Sequence, residues 1–207
     1  MPTRNDTHVA TYADDTAIMA QGTTPDAAAA AVQHHLLALE SWLRKWRIKI
    51  NIEKSVQVTF TLRRRPTRPI YMNGRQVPQS RVVRYLGLKL DSRLTWSDHI
   101  KSKRLVLNQR LKILYRLLCP RSPLSLRLKL LLYKSLLRPI WTYGIQLFGA
   151  AKKSNLSVLQ RFQSKCLRLI TGAPSPCTLA TRPYTLTSRC HTSTTTPDNY
   201  FWISSQN

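Results

Sequence analysis

The chain begins with the hydrophobic spacing of strands and continues with that of a helix. Residues 7–12 and 16–20 are two short β-prone runs around the interval 13–15, which is typical of a hairpin. Apolar residues then step by four, three, four and three, which predicts one stripe of a long amphipathic helix: Val32, Leu36, Leu39, Leu43 and Trp46. The helix is predicted to start at Thr24-Pro25-Asp26, which supplies a cap, a first-turn proline and an acid at the positive end of the helix dipole.

Strands are expected after this helix. Four apolar residues alternate at period two, as in a half-buried strand: Val56, Val58, Phe60 and Leu62. Asn73-Gly74 is a hairpin-turn dipeptide, and residues 82–90 form a further β-rich run. The first part of the chain therefore combines one long helix with short strands.

Three apolar stripes at helical spacing follow Asp91. They are Leu107, Leu111, Leu114 and Leu118; Leu126, Leu130, Tyr133 and Leu137; and Leu159, Phe162, Cys166 and Leu169. Ser122-Pro123 predicts the start of the second helix, and Ser154 marks the start of the third. We expect most of these side chains to form a core, with Lys and Arg on the other helix faces.

The periodic pattern ends at Gly172. Thr, Ser and Pro make up 17 of the last 36 residues, without apolar periodicity, so we predict a disordered tail. Cys177, Cys190 and His191 lie in this tail, but their spacing matches no zinc module and a fourth ligand is missing.

Charge separates the chain into three zones. The 207 residues carry 33 Lys and Arg against 9 Asp and Glu, a formal net charge of +24. Residues 1–43 hold 1 basic and 5 acidic side chains, residues 44–168 hold 30 and 3, and residues 169–207 hold 2 and 1. An isolated charge run is usually a solvated helix face, but the whole central zone repels itself unless a polyanion neutralises it, which points to nucleic acid.

Other features bound the class of protein. The longest uncharged stretches, residues 27–39 and 140–151, are shorter than the roughly 20 apolar residues that span a bilayer, so no membrane helix is expected. Asn5 and Asp6 lie where a secretory peptide would begin its apolar region, so we expect an intracellular protein. The four cysteines lack the spacing of a disulfide scaffold and are expected to be reduced thiols without a disulfide partner.

Asp14 and Asp15 are placed side by side at the predicted hairpin tip. Such a pair suits a divalent metal, since Mg²⁺ is usually held by one or two carboxylates together with substrate phosphates. Two such ions can activate an attacking hydroxyl and stabilise a leaving phosphate oxygen, as nucleotidyl transfer requires. The alternative is that two adjacent aspartates are ordinary turn residues.

An ordered set of sequence strings resembles the reverse transcriptases of jockey-like non-LTR (LINE-type) retrotransposons. They are TYADDTA at 11–17, WLRKWRIKINIEKS at 42–55, YLGLKLDSRLTW at 85–96 and LLRPIWTYGIQLFG at 136–149. The resemblance runs over residues 10–173. It implies an α+β fold, with a partial polymerase palm over residues 1–91 (a β-hairpin, a long helix and short antiparallel strands). An all-helical, thumb-like region would cover residues 92–171, followed by a disordered or frameshifted tail over residues 172–207.

The same resemblance implies roles for individual residues. Asp14 would be the direct ligand of Mg²⁺, or alternatively Mn²⁺, and Asp15 would assist it. Lys54 would act at the departing pyrophosphate, although an ordinary surface lysine is an equal alternative. Tyr85, Leu86 and Gly87 resemble the turn that grips the primer end. The implied partners are an RNA template, a DNA primer and deoxynucleotides, in the nucleus or a cytoplasmic ribonucleoprotein.

Several basic and aromatic residues are candidates for contact with nucleic acid. Arg104 and Arg110 lie on the thumb-like helices, whose basic face would follow the duplex backbone. Arg63, Arg64 and Arg65 are expected in a loop, as phosphate contacts or as a nuclear-import signal. Four tryptophans could stack on bases, but their spacing favours the core: Trp42, Trp46, Trp96 and Trp141.

The sequence departs from the family pattern at both ends. Only 11 residues precede Tyr12, whereas the family supplies a further metal-binding aspartate and the nucleotide-binding fingers from a segment before this hairpin. We therefore expect that the chain alone does not polymerise. The likeness ends at the Thr/Ser/Pro-rich region, which suggests a reading frame that slipped near residue 173.

Two other functional classes of protein would have a similarly high positive net charge. One is a non-catalytic basic RNA- or DNA-binding module, in which the two aspartates are only turn residues. The other is a structural protein of the ribosomal kind, which would lack the Trp- and Leu-rich helices. The order of the motifs favours a reverse transcriptase fragment over both.

Overall fold

The computed structural model describes residues 2–13, 15–62, 67–173 and 199–205. It divides into two compact units. The first comprises Met1–Leu94 together with His191–Asn207, and the second is Thr95–Cys190. The described residues combine small antiparallel sheets with helices, so the expected mixture of α and β structure is confirmed.

A four-stranded antiparallel sheet is the centre of the first unit. Its strands are β1 (Thr7–Tyr12), β2 (Asp15–Gly22), β3 (Val56–Phe60) and β8 (Asn199–Ser205). Their order across the sheet is β1-β2-β8-β3, so the strand that comes last in the sequence lies between β2 and β3. It pairs with β2 from Asn199 to Ser205 and with β3 from Tyr200 to Ser204.

The prediction of a disordered tail is therefore wrong for residues 199–205. The apolar run that forms this strand is only four residues long, Tyr200 to Ile203, and the surrounding Thr, Ser and Pro dominate the average composition. A strand gains its stability from its neighbours, which composition does not reveal. Residues 174–198, with Cys177, Cys190 and His191, lie outside the described part of the chain.

Helix α1 (Pro25–Trp46) covers one face of this sheet. Its start is as predicted, because Thr24 Oγ1 accepts a hydrogen bond from the Ala27 N–H at 3.2 Å. The predicted stripe is buried at Val32, Leu36, Leu39 and Leu43, each contributing about 1.5–3 kcal/mol by leaving water. Trp46 is 62% exposed, so its expected core placement is wrong; it lies in the final turn, just before the helix ends.

Two small hairpins complete the first unit. The first joins β4 (Tyr71–Met72) to β5 (Arg75–Gln76) through Asn73-Gly74, both with positive φ, which confirms the predicted turn. The second joins β6 (Val82–Tyr85) to β7 (Leu88–Asp91). This second hairpin forms a core cluster with β2 and β3 residues: Ala17, Val58, Phe60 and Val83 are buried.

The second unit consists of helices. They are α2 (Ser97–Leu118), α3 (Leu126–Leu132), α4 (Arg138–Thr142), α5 (Ile145–Phe148) and α6 (Lys153–Thr171), with a π-helical turn at Tyr133–Leu137 between α3 and α4. The predicted stripes supply much of its core, which includes Leu107, Leu111, Leu118, Tyr133, Leu137, Leu159, Phe162 and Cys166. No helix in the described ranges is long and apolar enough to cross a membrane.

Two details of the second unit differ from the sequence prediction. The helix expected at Ser122-Pro123 is capped instead by Ser125, whose Oγ accepts from the Leu128 N–H at 3.4 Å. Leu126 is consequently a first-turn residue and is 53% exposed rather than part of the core. Within the described part, Cys119 and Cys166 are free thiols, and burial raises the pKa of the Cys166 thiol to about 12.

A buried histidine connects α1 to the edge strand of the sheet. His35 has no exposed surface, and its Nδ1 forms a 2.7 Å hydrogen bond with Thr7 Oγ1. Its Nε2 has no hydrogen-bond partner among the described residues. Burial lowers the pKa of His35, and the positive charge of Arg4 lowers it further, so the folded chain holds this imidazole neutral.

We predict that His35 makes the unfolding free energy depend on pH. Because its folded pKa lies below the unfolded value of 6.5, its stabilising contribution is complete above that pH and is lost as the pH falls through the folded pKa. Replacing His35→Gln should flatten the fall in urea-unfolding free energy below about pH 6.5. The neighbouring exposed His34→Gln is the matched control and should keep the wild-type profile; equal profiles for both variants would contradict the assignment.

Candidate functional site

Asp15, one of the two predicted aspartates, begins β2 directly after the turn that follows β1. Tyr12 pairs with Asp15 across this hairpin, and Ala13 has a φ of 53°. Tyr12 is 66% exposed, while Asp15 is half-buried at the start of β2. Asp14 lies outside the described residues. The hairpin prediction is confirmed, and Asp15 stands at one end of the sheet.

The strand register places Lys54 at the same end of the sheet. Ser204 of β8 pairs with Ala17 on one side and Val56 on the other, so these three residues form one row. Asp15 and Lys54 each lie two residues before that row. Since neighbouring strands are about 4.8 Å apart, the ends of β2 and β3 are roughly 10 Å apart across β8. Lys54 is exposed there.

A capped turn holds the Lys54 backbone. Asn51 Oδ1 accepts hydrogen bonds from the N–H groups of Glu53, at 3.1 Å, and Lys54, at 3.3 Å. The Ser55 N–H donates to the Asn51 carbonyl oxygen at 3.2 Å, and β3 begins at the next residue. The turn thus delivers Lys54 to the rim of the sheet by local hydrogen bonds that an Asn at this position favours.

Tyr85, at the end of β6 in the second small hairpin, is within electrostatic range of Asp15. Burial raises the pKa of the Tyr85 hydroxyl, and the negative charge of Asp15 raises it further. Tyr85 packs against the cluster that contains Ala17 of β2. Leu86 and Gly87 form the turn that follows, with φ values of 45° and 75°. Three residues that the sequence singled out, Asp15, Lys54 and Tyr85, therefore belong to one end of this unit.

The second unit carries a groove between α2 and α6, of about 1180 Å³. Four cations line it, together with Tyr115, which is 54% exposed: Arg104, Lys112, Lys165 and Arg168. No carboxylate stands among the described residues that line the groove. A groove with this charge and an exposed aromatic ring suits a phosphate backbone with bases that stack.

Arg104, one of these four cations, is half-buried and lies against an aromatic ring of α6. Its guanidinium lies over the Phe162 ring, 4.7 Å from the centroid, and its buried Nη1 has no hydrogen-bond acceptor among the described residues. Burial lowers the pKa of Arg104, but an arginine remains charged in proteins. This leaves a desolvated cation with an unused donor beside the groove, which favours an anionic ligand.

The other four arginines predicted to contact nucleic acid are not among the described residues that line the groove. Arg110 is exposed on α2 but does not line the groove. Arg63, Arg64 and Arg65 lie outside the described residues. The sequence prediction missed Lys112, Lys165 and Arg168, because charge spacing along one helix does not show which second helix forms the opposite wall.

Comparisons with known proteins identify the family. The family described as "Reverse transcriptase (RNA-dependent DNA polymerase)" matches residues 1–90. Over 169 residues, 82% of its length, the chain is 38% identical to "RNA-directed DNA polymerase from mobile element jockey" of Drosophila melanogaster. It is 42% identical over 164 residues to "Probable RNA-directed DNA polymerase from transposon X-element" of the same species. The chain belongs to the reverse transcriptase family.

This reverse transcriptase chain spans 18% of the length of each of these relatives. A third, the jockey polymerase of Drosophila funebris, is 37% identical over 80% of the chain. No solved structure matches. Because the relatives are polymerases of mobile elements, the non-catalytic basic module that charge alone allowed is not favoured.

Reverse transcriptases generally use divalent metal ions. Within the described ranges, no group of three or more His, Cys, Asp and Glu side chains could hold such an ion. The described residues of this reverse transcriptase chain therefore do not complete a metal site by themselves.

We predict that Asp15 controls the titration of Tyr85. In Asp15→Asn, the pKa of Tyr85 should fall toward its ordinary value of 10.0, because the carboxylate that disfavours the phenolate is gone. Nuclear magnetic resonance of ring-labelled tyrosine, with Tyr85→Phe to assign the signal, measures this change. Asp26→Asn removes a carboxylate on α1 and should leave the Tyr85 titration in place; an unchanged titration in Asp15→Asn would refute the proximity.

Proposed function

We propose that this chain carries the catalytic aspartate hairpin and part of the nucleic-acid cradle of an RNA-directed DNA polymerase of the non-LTR retrotransposon kind. The observation that carries the proposal is the placement of Asp15, Lys54 and Tyr85 at one end of the first unit in a reverse transcriptase chain. These residues come from three separate parts of the sequence, and the fold brings them to the same end.

Each of these residues has a role in the proposed site. Asp14 and Asp15 are the carboxylates that would bind the metal, with Mg²⁺ as the ion and Mn²⁺ as its substitute. When bound, the ion would stabilise charge on phosphate oxygens. Lys54 supplies a positive charge, or a proton, at the departing pyrophosphate. Tyr85, Leu86 and Gly87 position the primer end beside Asp15.

The proposed role of the helical unit is to bind the primer–template duplex. Among its described residues, 95–173, the sequence holds 16 basic side chains and one acidic side chain, Asp98. The groove cations, above all Arg104, are the proposed phosphate contacts. Deoxynucleotides, an RNA template and a DNA primer are the proposed partners, and the nucleus or a cytoplasmic ribonucleoprotein is the proposed location.

The chain by itself is proposed to bind nucleic acid without extending a primer. Among the described residues, no group of three or more His, Cys, Asp and Glu side chains could share a metal, and the chain spans 18% of the length of its longer relatives.

A chimera tests the catalytic assignment. The matched part of the Drosophila melanogaster jockey polymerase is replaced by this chain, and primer extension on an RNA template is measured. We expect the chimera to extend the primer and the unfused chain not to do so. Asp14→Asn and Asp15→Asn should each lower extension by roughly a hundredfold or more, since each removes charge stabilisation at the reacting phosphate.

Asp26→Asn is the matched control in the same chimera, because Asp26 accepts a hydrogen bond from the Arg68 N–H on another part of the unit. It should retain extension. Full extension by Asp14→Asn, or extension by the unfused chain, would overturn the assignment.

An RNA-binding experiment tests the proposed role of the groove separately from catalysis. In Lys165→Gln/Arg168→Gln, the affinity for a single-stranded RNA should fall, and the slope of log K against log salt should become shallower by about 1.4, since each neutralised phosphate contributes about 0.7. Fluorescence anisotropy across a salt series measures both quantities. Arg127→Gln/Lys134→Gln removes the same charge from exposed positions outside the groove lining and should change the slope less. Equal effects would remove the groove from the proposal.

A further inference from the structure

The end of helix α1 presents a basic and aromatic surface. Six consecutive residues there are all exposed, and four of them are cations. We call them the α1-terminal patch: Arg44, Lys45, Trp46, Arg47, Ile48 and Lys49. Trp46 is 62% exposed and Ile48 is 48% exposed. Large aromatic rings gain most from leaving water and are enriched where proteins bind their partners, so the exposure of Trp46 among cations indicates a binding surface.

A neighbour on the same helix supports the Trp46 ring. The ring centroids of Trp42 and Trp46 are 6.1 Å apart, with 41° between the ring planes. Trp42 is half-buried and packs against the core cluster under α1. Because Trp42 is anchored in this way, the exposed Trp46 ring has restricted freedom, which lowers the entropy lost when a flat ligand stacks on it.

The helix ends at a cation with strained backbone geometry. Arg47 is the C-cap of α1 and lies in the left-handed region, with φ 56° and ψ 30°. The N–H of Ile48 donates to the Leu43 carbonyl oxygen at 3.0 Å, which terminates the helix. Glycine is the usual residue at such a position, because a side chain there costs free energy. Arg47 therefore adds a charge to the patch at the expense of stability, which indicates a use other than folding.

The charge of the patch is not neutralised within the described part of the chain. None of its four cations forms an ion pair with a described carboxylate. The negative end of the α1 dipole accounts for Arg44 and Lys45, which lie in the last turn. It does not account for Arg47 and Lys49, which follow that turn. Four unpaired cations within six residues attract a polyanion.

We infer that the α1-terminal patch is a second nucleic-acid contact, which binds a single strand by stacking a base on Trp46 while the surrounding cations hold the phosphates. Stacking requires a base whose face is open, so the ligand is single-stranded rather than duplex. The patch belongs to the first unit, whereas the groove belongs to the second. The inference rests on the proposed function only for the class of ligand, and it needs neither the groove nor the catalytic aspartates.

An oligonucleotide without bases separates stacking from charge. Two labelled probes of about 12 nucleotides are compared by fluorescence anisotropy: oligothymidine, and the same phosphate backbone with abasic sites throughout. In the full chain, Trp46→Ala should weaken oligothymidine binding about tenfold and leave binding of the abasic probe unchanged. Trp46→Phe should retain most of the affinity, because a phenyl ring also stacks.

Leu37→Ala is the matched control for this loss. Leu37 is 54% exposed, and helical periodicity places it on the opposite side of α1 from Trp46. Its variant should bind both probes as wild type does. Wild-type affinity of Trp46→Ala for oligothymidine overturns the inference, and so does an equal loss of affinity for the two probes.

Arg47→Gly gives stability and binding changes of opposite sign. The urea midpoint of unfolding should rise, because glycine adopts the left-handed backbone without strain. Oligothymidine binding should nevertheless weaken, with a slope of log K against log salt that is shallower by about 0.7. Arg81→Gln removes the same charge from another exposed position of the first unit and should change the slope less. Unchanged binding by Arg47→Gly overturns the inference.

Two further arms separate this inference from its alternatives. A lipid surface is the other partner for a basic patch with a tryptophan. If Trp46→Ala lowers binding to phosphatidylserine vesicles but not to oligothymidine, the patch is a lipid contact and the inference is wrong. In the groove variant Lys165→Gln/Arg168→Gln, the tenfold loss caused by Trp46→Ala should persist. A Trp46 effect without a groove effect removes only the groove from the proposed function, and a groove effect without a Trp46 effect removes only this inference.

Discussion

The paired strand in the middle of the first unit is the constraint on which its other features depend. β2 and β3 hold the two ends that carry Asp15 and Lys54, and the two strands are not hydrogen-bonded to each other. Their pairing with β8 on both sides fixes their register. Leaving buried backbone groups without partners costs about 1–3 kcal/mol for each group, so the cost of a sheet without β8 would exceed the total stability of many domains. The geometry of the candidate site is therefore set by a strand that contributes no predicted functional residue.

The excess of positive charge is the main feature of the second unit, as strand pairing is of the first. Its helices bury leucines and aromatic rings on one side and leave Lys and Arg on the others, with Asp98 as the one acid among residues 95–173. Lys129 is a buried cation with a hydrogen-bond partner, because its ammonium donates to the Cys119 carbonyl oxygen at 2.8 Å. Arg104 shows the opposite case, a stacked guanidinium with a buried donor that lacks an acceptor among the described residues. Self-repulsion of this kind is relieved by a polyanion.

Local signals predicted the local structure of this chain well. The cap at Thr24, the turn at Asn73-Gly74 and the helical stripes are decided within a few residues, and the structure contains each of them. The resemblance also selected Asp15, Lys54 and Tyr85, which the sheet brings to one end. What could not be predicted depends on distant partners: the strand at residues 199–205, and the pairing of α2 with α6 that forms the groove. Composition averaged across the tail concealed the first, and one-dimensional periodicity carries no information on the second.

The position of β8 also has a consequence for the order in which the chain acquires structure during synthesis. β1, β2, α1 and β3 leave the ribosome early, but their sheet remains incomplete until residues 61–198 have also been made. At about 5–20 residues per second, that interval is on the order of ten seconds. The helical unit, whose contacts are more local, can form within it. For this period the first unit offers two open strand edges to its surroundings, which makes it the part of the nascent chain that most needs a chaperone or a strand from elsewhere.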